Sequence, residues 1–94
     1  MVSFEWDPTK NETNRVKHGV SFEEACEAFL DEHRVLLLDR AHSSEVEERF
    51  FLLGNVRGRV LTVRFTMRGQ TIRILGAGCW RKGRDLYGRQ ETRQ

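Results

Sequence analysis

Ninety-four residues with 38% hydrophobic and 32% charged content make one domain, 1–94, of ordinary soluble composition. No run approaches the ~18 apolar residues of a membrane span. Residues 1–6 carry no basic region followed by an apolar stretch, so a cytoplasmic protein with no membrane partner is expected. The net charge of +2 hides a split: residues 1–48 hold five basic and twelve acidic side chains, a net of −7, and residues 49–94 hold eleven basic and two acidic ones, a net of +9.

That asymmetry points to a nucleic-acid or acidic-protein partner for the basic half. The plainer alternative is that the halves neutralise each other in the fold. Ten of the eleven basic residues after position 48 are Arg, with Lys82 alone. Arg is favoured where planar, bidentate contact with phosphate or carboxylate matters. Cys26 and Cys79 have no metal-type spacing and read as reduced thiols, so no metal site and no cofactor is expected.

Phe4-Glu5-Trp6 alternates as a short first strand. Asp7-Pro8 then predicts a helix, with Asp7 as N-cap and Pro at the first helical position. It runs to about His18 and closes at Gly19. Val16 is its main apolar residue, so its polar residues need partners. Ser21-Phe22-Glu23-Glu24 is a capping box for a second helix. There Phe22, Ala25, Cys26, Phe29 and Leu30 form an apolar stripe, with Glu23, Glu24, Glu27 and Asp31 toward solvent. Strands are predicted over 34–38, 49–53, 59–66 and 71–75. Asp39–Glu48 is a polar connection, and Arg57-Gly58 and Arg68-Gly69 are turn signals. The expectation is an α+β domain: a short N-terminal strand, two helices, a four-stranded antiparallel meander and a weak C-terminal helix through Arg81–Tyr87. Residues after about 87 are expected to fray.

A two-residue loop at Arg68-Gly69 would set Arg64 directly opposite Arg73. Thr62, Arg64, Thr66, Thr71 and Arg73 would then share one face. Leu61, Val63, Phe65, Ile72 and Ile74 would share the other, packed on the helices. A two- or four-residue loop before the fourth strand puts Arg49 on the arginine face as well. Three arginines there would make a phosphate surface, unless Glu47, Glu48 or Asp39 pairs with them.

Phe4-Glu5-Trp6-Asp7, Lys10, Asn14, Lys17-His18-Gly19-Val20-Ser21-Phe22-Glu23-Glu24-Ala25, Phe29 and Asp31 together resemble the opening of BrnT-type toxins. His42-Ser43, Glu48-Arg49-Phe50, Gly54 and Arg73-Ile74 followed by Ala77 extend the resemblance to residues 4–77. It implies a RelE-like fold and a type II toxin–antitoxin pair, with a BrnA-type antitoxin as partner and RNA as substrate. It implies metal-independent RNA cleavage that stops translation, with DNA touched only indirectly through the antitoxin. The family continues Arg-Ile-Ile-Ser-Ala-Arg, whereas here Gly76 stands for the Ser and Gly78 for the second Arg. A catalytically weakened antitoxin-binding module in a promoter-bound complex is therefore the rival expectation.

RNA cleavage without metal needs a base for the 2′-OH, an acid for the leaving 5′-oxygen, and cations for charge on the phosphorus centre. Arg64 and Arg73 suit the last role, with Arg49, Arg81, Lys82 and Arg84 as further RNA contacts. His42 is a candidate base or acid, against a loop-capping role with Ser43. Glu48 is a candidate base, against an ion-pair role. Tyr87 is a candidate stacker or proton donor, against packing of the C-terminal segment. His18 reads as a helix-end cap, and Trp80 as the better stacking candidate of the two Trp.

Overall fold

The computed structural model describes residues 2–92, with side chains through Gln90. The elements are β1 (Ser3–Glu5), α1 (Pro8–His18), α2 (Phe22–Ala28), β2 (Val35–Leu38), β3 (Arg49–Val56), β4 (Arg59–Arg68), β5 (Thr71–Gly78) and α3 (Arg81–Thr92). The fold is α+β, as expected. β2 to β5 form the antiparallel meander, and β1 joins the sheet in parallel beside β5, giving the order β1-β5-β4-β3-β2. The sheet is therefore mixed and five-stranded. α3 runs on to Thr92, and residues 93 and 94 of the segment expected to fray lie outside the described residues.

The two N-terminal helices start and stop where their caps dictate. Asp7 accepts the Thr9 N–H at 2.8 Å, and Gly19 closes α1 with φ 69°. Ser21 and Glu24 complete the capping box of α2. No side chain of α1 is buried, so polar bonds hold the helix. The Asn14 amide donates to the carbonyls of Val20 and Ala77, and its oxygen accepts the Ala77 N–H at 3.2 Å. That side chain thus stands in for a neighbouring strand on the stretch of β5 that β1 does not reach. Asn11 adds a bond from the Phe22 N–H. Each such bond is worth about 1 kcal/mol net.

α2 is shorter than its apolar stripe suggests. Phe29 is already the C-cap, and Leu30 is 80% exposed. Leaving the helix there brings Asp31 over the sheet. Its carboxylate, half-buried, accepts the N–H groups of His33 and Asn55 and the hydroxyl of Tyr87. Cys26 stays in the helix, where burial, reinforced by Glu23, pushes its thiol up to about 11. Both cysteines are free.

One sheet face is the core. Val20, Phe22, Ala25 and Ala28 pack on Leu52, Leu61, Val63, Phe65, Ile72 and Ile74, with Val56 and Ala77 in the same cluster. Burying a large apolar side chain stabilises by about 1.5–3 kcal/mol, so this face dominates the fold's stability.

The predicted register of the last hairpin is corrected. Arg68 pairs with Thr71, so the loop is Gly69-Gln70, and Thr66 rather than Arg64 stands opposite Arg73. Gly69 takes φ 62° at the first loop position, a left-handed conformation that a Gly adopts without steric cost. The shift also removes a direct Arg–Arg pairing, which would destabilise the ladder. A bulge follows, with Leu75 unpaired, and Arg64 lies opposite Gly76. The shift keeps parity, so the faces stand as expected. Arg57-Gly58 is the loop between β3 and β4, with Val56 opposite Arg59.

Candidate functional site

Arg49, Thr66, Arg73 and Glu5 lie in register across β3, β4, β5 and β1, on the face away from the core. Asp39 extends the row beyond β2, because its N–H continues the ladder to the Arg49 carbonyl at 2.8 Å and strand alternation puts it on the side of Leu37. The adjacent row is Leu37, Phe51, Arg64 and Gly76. Arg49, Arg64 and Arg73 therefore share one face.

Their electrostatic situations differ. Arg73 donates to the Glu5 carboxylate at 2.8 Å, and Arg49 donates to Glu47 at 2.9 Å. Both arginines are part-buried. Of the three carboxylates weighed against the arginines, only that of Glu47 pairs with one. Glu48 is exposed, and its carbonyl accepts the Thr66 hydroxyl at 2.6 Å. Arg64 has no ion-pair partner among the described residues. Arg68, Arg81, Lys82 and Arg84 share that condition. Elsewhere the two charged halves do neutralise each other: Arg57 and Arg59 bridge to Glu24, and Arg57 also bridges to Glu27. The neutralising reading of the charge split thus holds for Arg57 and Arg59.

His42 is tied down rather than free. Its Nδ1 lies 2.9 and 3.1 Å from the two carboxylate oxygens of Asp39, which is only 4% exposed. Ser43 fixes the same turn, since its hydroxyl donates to the Asp39 carbonyl at 2.7 Å and accepts the Arg49 N–H at 2.9 Å. Asp39 was missed as a site residue because it opens a polar connection that reads as loop. The readable signal was its spacing to His42, Asp-x-x-His, at which an Asp side chain caps the turn that follows it.

Tyr87 sits elsewhere. It is buried, and its hydroxyl donates to Asp31, which also accepts the Asn55 N–H at the far end of β3 from Arg49. Burial raises the Asp31 pKa, but the Tyr87 hydroxyl and the N–H groups of Asn55 and His33 outweigh it, leaving the carboxyl below its ordinary value. α3 lies over Thr62 at Gly83, where a Cβ would collide with the Thr62 hydroxyl. The helix thus runs from Thr62 toward Asn55, with Arg81 and Lys82 at its N-terminal end, nearer Arg64. An apolar groove of about 410 Å³ opens between α3 and the sheet, lined by Leu37, Phe51, Leu53, Trp80, Lys82 and Leu86 among others. Trp80 covers Gly78, and a Cβ at position 78 would lie 2.5 Å from its indole. His18 meets that indole edge-on, with ring centroids 5.2 Å apart.

Residues 6–83 match the model of a family described as the ribonuclease toxin, BrnT, of type II toxin–antitoxin systems. The class is thus a toxin of a type II toxin–antitoxin system, and such a toxin has an antitoxin as its partner. Within that class the chain belongs to the BrnT family. A search of curated proteins finds no match to the chain. No helix among the described residues is long and apolar enough to cross a membrane.

Proposed function

We propose that this chain is a cytoplasmic RNA endonuclease that cuts without a metal ion, stops translation, and is neutralised by a BrnA-type antitoxin. DNA is reached only through that antitoxin. The observation that carries the reading is Arg64, part-buried and with no carboxylate partner among the described residues, one row from Arg49 and Arg73. A phosphodiester is the kind of anion a planar guanidinium accepts in two bonds. Arg73 would reinforce the charge, and Arg81 and Lys82 open α3, where the helix dipole also favours an anion. The groove beside Trp80 would take the face of a base. Glu48, exposed and with no side-chain partner among the described residues, is a weaker candidate base than His42, and Tyr87 lies toward the Asn55 end of the sheet.

Induced expression in a bacterial host tests this. The wild-type chain should halt growth and bulk translation, and an Arg64→Ala/Arg73→Ala double variant should not. Purified wild-type protein should cleave RNA with EDTA present. Equal growth for wild type, double variant and empty vector would sink the proposal.

One observation favours the rival reading, a catalytically weakened module that binds its antitoxin at a promoter. Trp80 fills the space that a side chain at position 78 would need, so no cation stands there. One missing charge-stabilising donor costs on the order of 10²–10³ in rate. Intact RNA together with tight antitoxin binding would favour the module.

A further inference from the structure

The Asp39–His42 pair has a polarity that follows from the chemistry of the carboxylate. A carboxylate can only accept a hydrogen bond, so the imidazole nitrogen facing it carries the proton. That nitrogen is Nδ1, 2.9 Å from Oδ2 and 3.1 Å from Oδ1. In the neutral ring the other nitrogen, Nε2, is then the one with the free lone pair, on a side chain that is 54% exposed. Asp39 also accepts the backbone N–H of His42 at 3.3 Å, so one carboxylate orients both the ring and the turn that carries it. Ser43 locks the turn to the first residue of β3 through the Arg49 N–H.

A buried carboxylate is costly unless it is paired and hydrogen-bonded. A structural cap on a surface turn does not require one, because Asn or Ser caps turns as well. Asp39 is 4% exposed, and it holds an exposed imidazole at the margin of the arginine rows, two strands or roughly 10 Å from β4.

We infer that Asp39 is a positioning residue that holds His42 in the Nδ1–H tautomer, so that Nε2 takes the proton from the ribose 2′-OH of a bound RNA. This rests on the ribonuclease reading above. As the proton moves to Nε2, the 2′-oxygen bonds to phosphorus and the P–O5′ bond breaks, leaving its electron pair on the 5′-oxygen. The 5′-oxygen is protonated from water, and His42 gives its proton back to solvent. The products are a 2′,3′-cyclic phosphate and a 5′-hydroxyl, and no oxidant or reductant is involved. Asp39 stabilises the transient imidazolium without touching RNA.

The test joins two measurements. Imidazole ¹⁵N shifts of wild-type protein at about pH 8.5, where free histidine is neutral, should show His42 protonated at Nδ1. Asp39→Asn should move the population toward Nε2–H. It should also lower kcat on the order of 10²-fold, the usual share of a positioned general base, with KM within about threefold. Glu45→Gln, on the same connection, should change neither. A wild-type His42 already protonated at Nε2 overturns the inference with no variant needed. So does Asp39→Asn with an altered tautomer and unchanged kcat. Wild-type protein that leaves RNA intact would defeat the ribonuclease reading, and the base role of His42 would fall with it, whatever the tautomer. Wild-type protein that cleaves RNA while Asp39→Asn cleaves equally well defeats the positioning role alone.

Discussion

At one end of the sheet's outer face, α3 lies on Thr62 through Gly83, Trp80 covers Gly78, and the Tyr87 hydroxyl reaches Asp31. At the other end the same face carries Arg49, Arg64 and Arg73, with His42 held at its margin by Asp39. At the α3 end the buried contacts close within the chain, the Tyr87 hydroxyl on Asp31 among them, while the Thr62 hydroxyl is buried without a partner among the described residues and the charges of Arg81, Lys82 and Arg84 stand at the surface of the helix. The arginine end leaves a part-buried cation on the sheet, Arg64, without an ion-pair partner among the described residues. The difference separates packing from chemistry: an end that closes on itself stabilises, and an end with an unmatched charge is available to an outside anion.

Removing the unmatched charge should give the largest effect. Arg64→Ala should lower RNA cleavage on the order of 10²–10³-fold, with a melting temperature close to wild type, since no internal partner is lost. A comparable loss of cleavage from Tyr87→Phe, measured per folded molecule, would erase the distinction between the two ends.

Tyr87→Phe should act on stability instead. Losing a hydrogen bond to a carboxylate costs about 1.5 kcal/mol or somewhat more, read from a denaturation midpoint. The effect has a pH signature. The Asp31 pKa lies below its ordinary value in the folded chain. Its contribution is therefore complete above the unfolded carboxyl pKa, near 4, and is lost as pH falls through the depressed folded value. The stability gap between wild type and Tyr87→Phe should narrow on acidification below about pH 4. A gap that widens would assign the bond to some other group.

A smaller effect is expected from Arg73, whose charge already meets Glu5. Affinity for single-stranded RNA should fall with salt at a log–log slope near −0.7 per phosphate, about −2 for three contacts. Arg73→Gln should flatten that slope by about one contact and weaken all sequences alike. Arg15→Gln, which only breaks the Glu12 pair on α1, should leave the slope alone. An unchanged slope for Arg73→Gln would make its bond to Glu5 its whole role.

Much of the fold was legible because it rests on local chemistry. Asp7-Pro8, Gly19, the Ser21–Glu24 box and the alternation of Leu61, Val63 and Phe65 each act within a few residues. The membership of the three arginines in one face followed from parity alone, and survived a wrong register for that reason. What stayed hidden depends on distant pairs. The Tyr87–Asp31 bond joins residues 56 apart, the Arg73–Glu5 bond joins residues 68 apart, and the unpaired Leu75 lies several residues from the turn that a sequence signal marks. The pairing of His42 with Asp39 was close in sequence, yet the burial that gives it meaning comes from the sheet edge and not from the connection.

The most direct test of the separation is an NMR titration with a short single-stranded RNA carrying 2′-O-methyl groups, which cannot be cleaved by 2′-oxygen attack. Side-chain signals of Arg49, Arg64, Arg73 and His42 should shift together as RNA is added, with Tyr87 and the Asn55 N–H unmoved. Shifts confined to Tyr87 and Asn55, with Arg64 silent, would contradict the account.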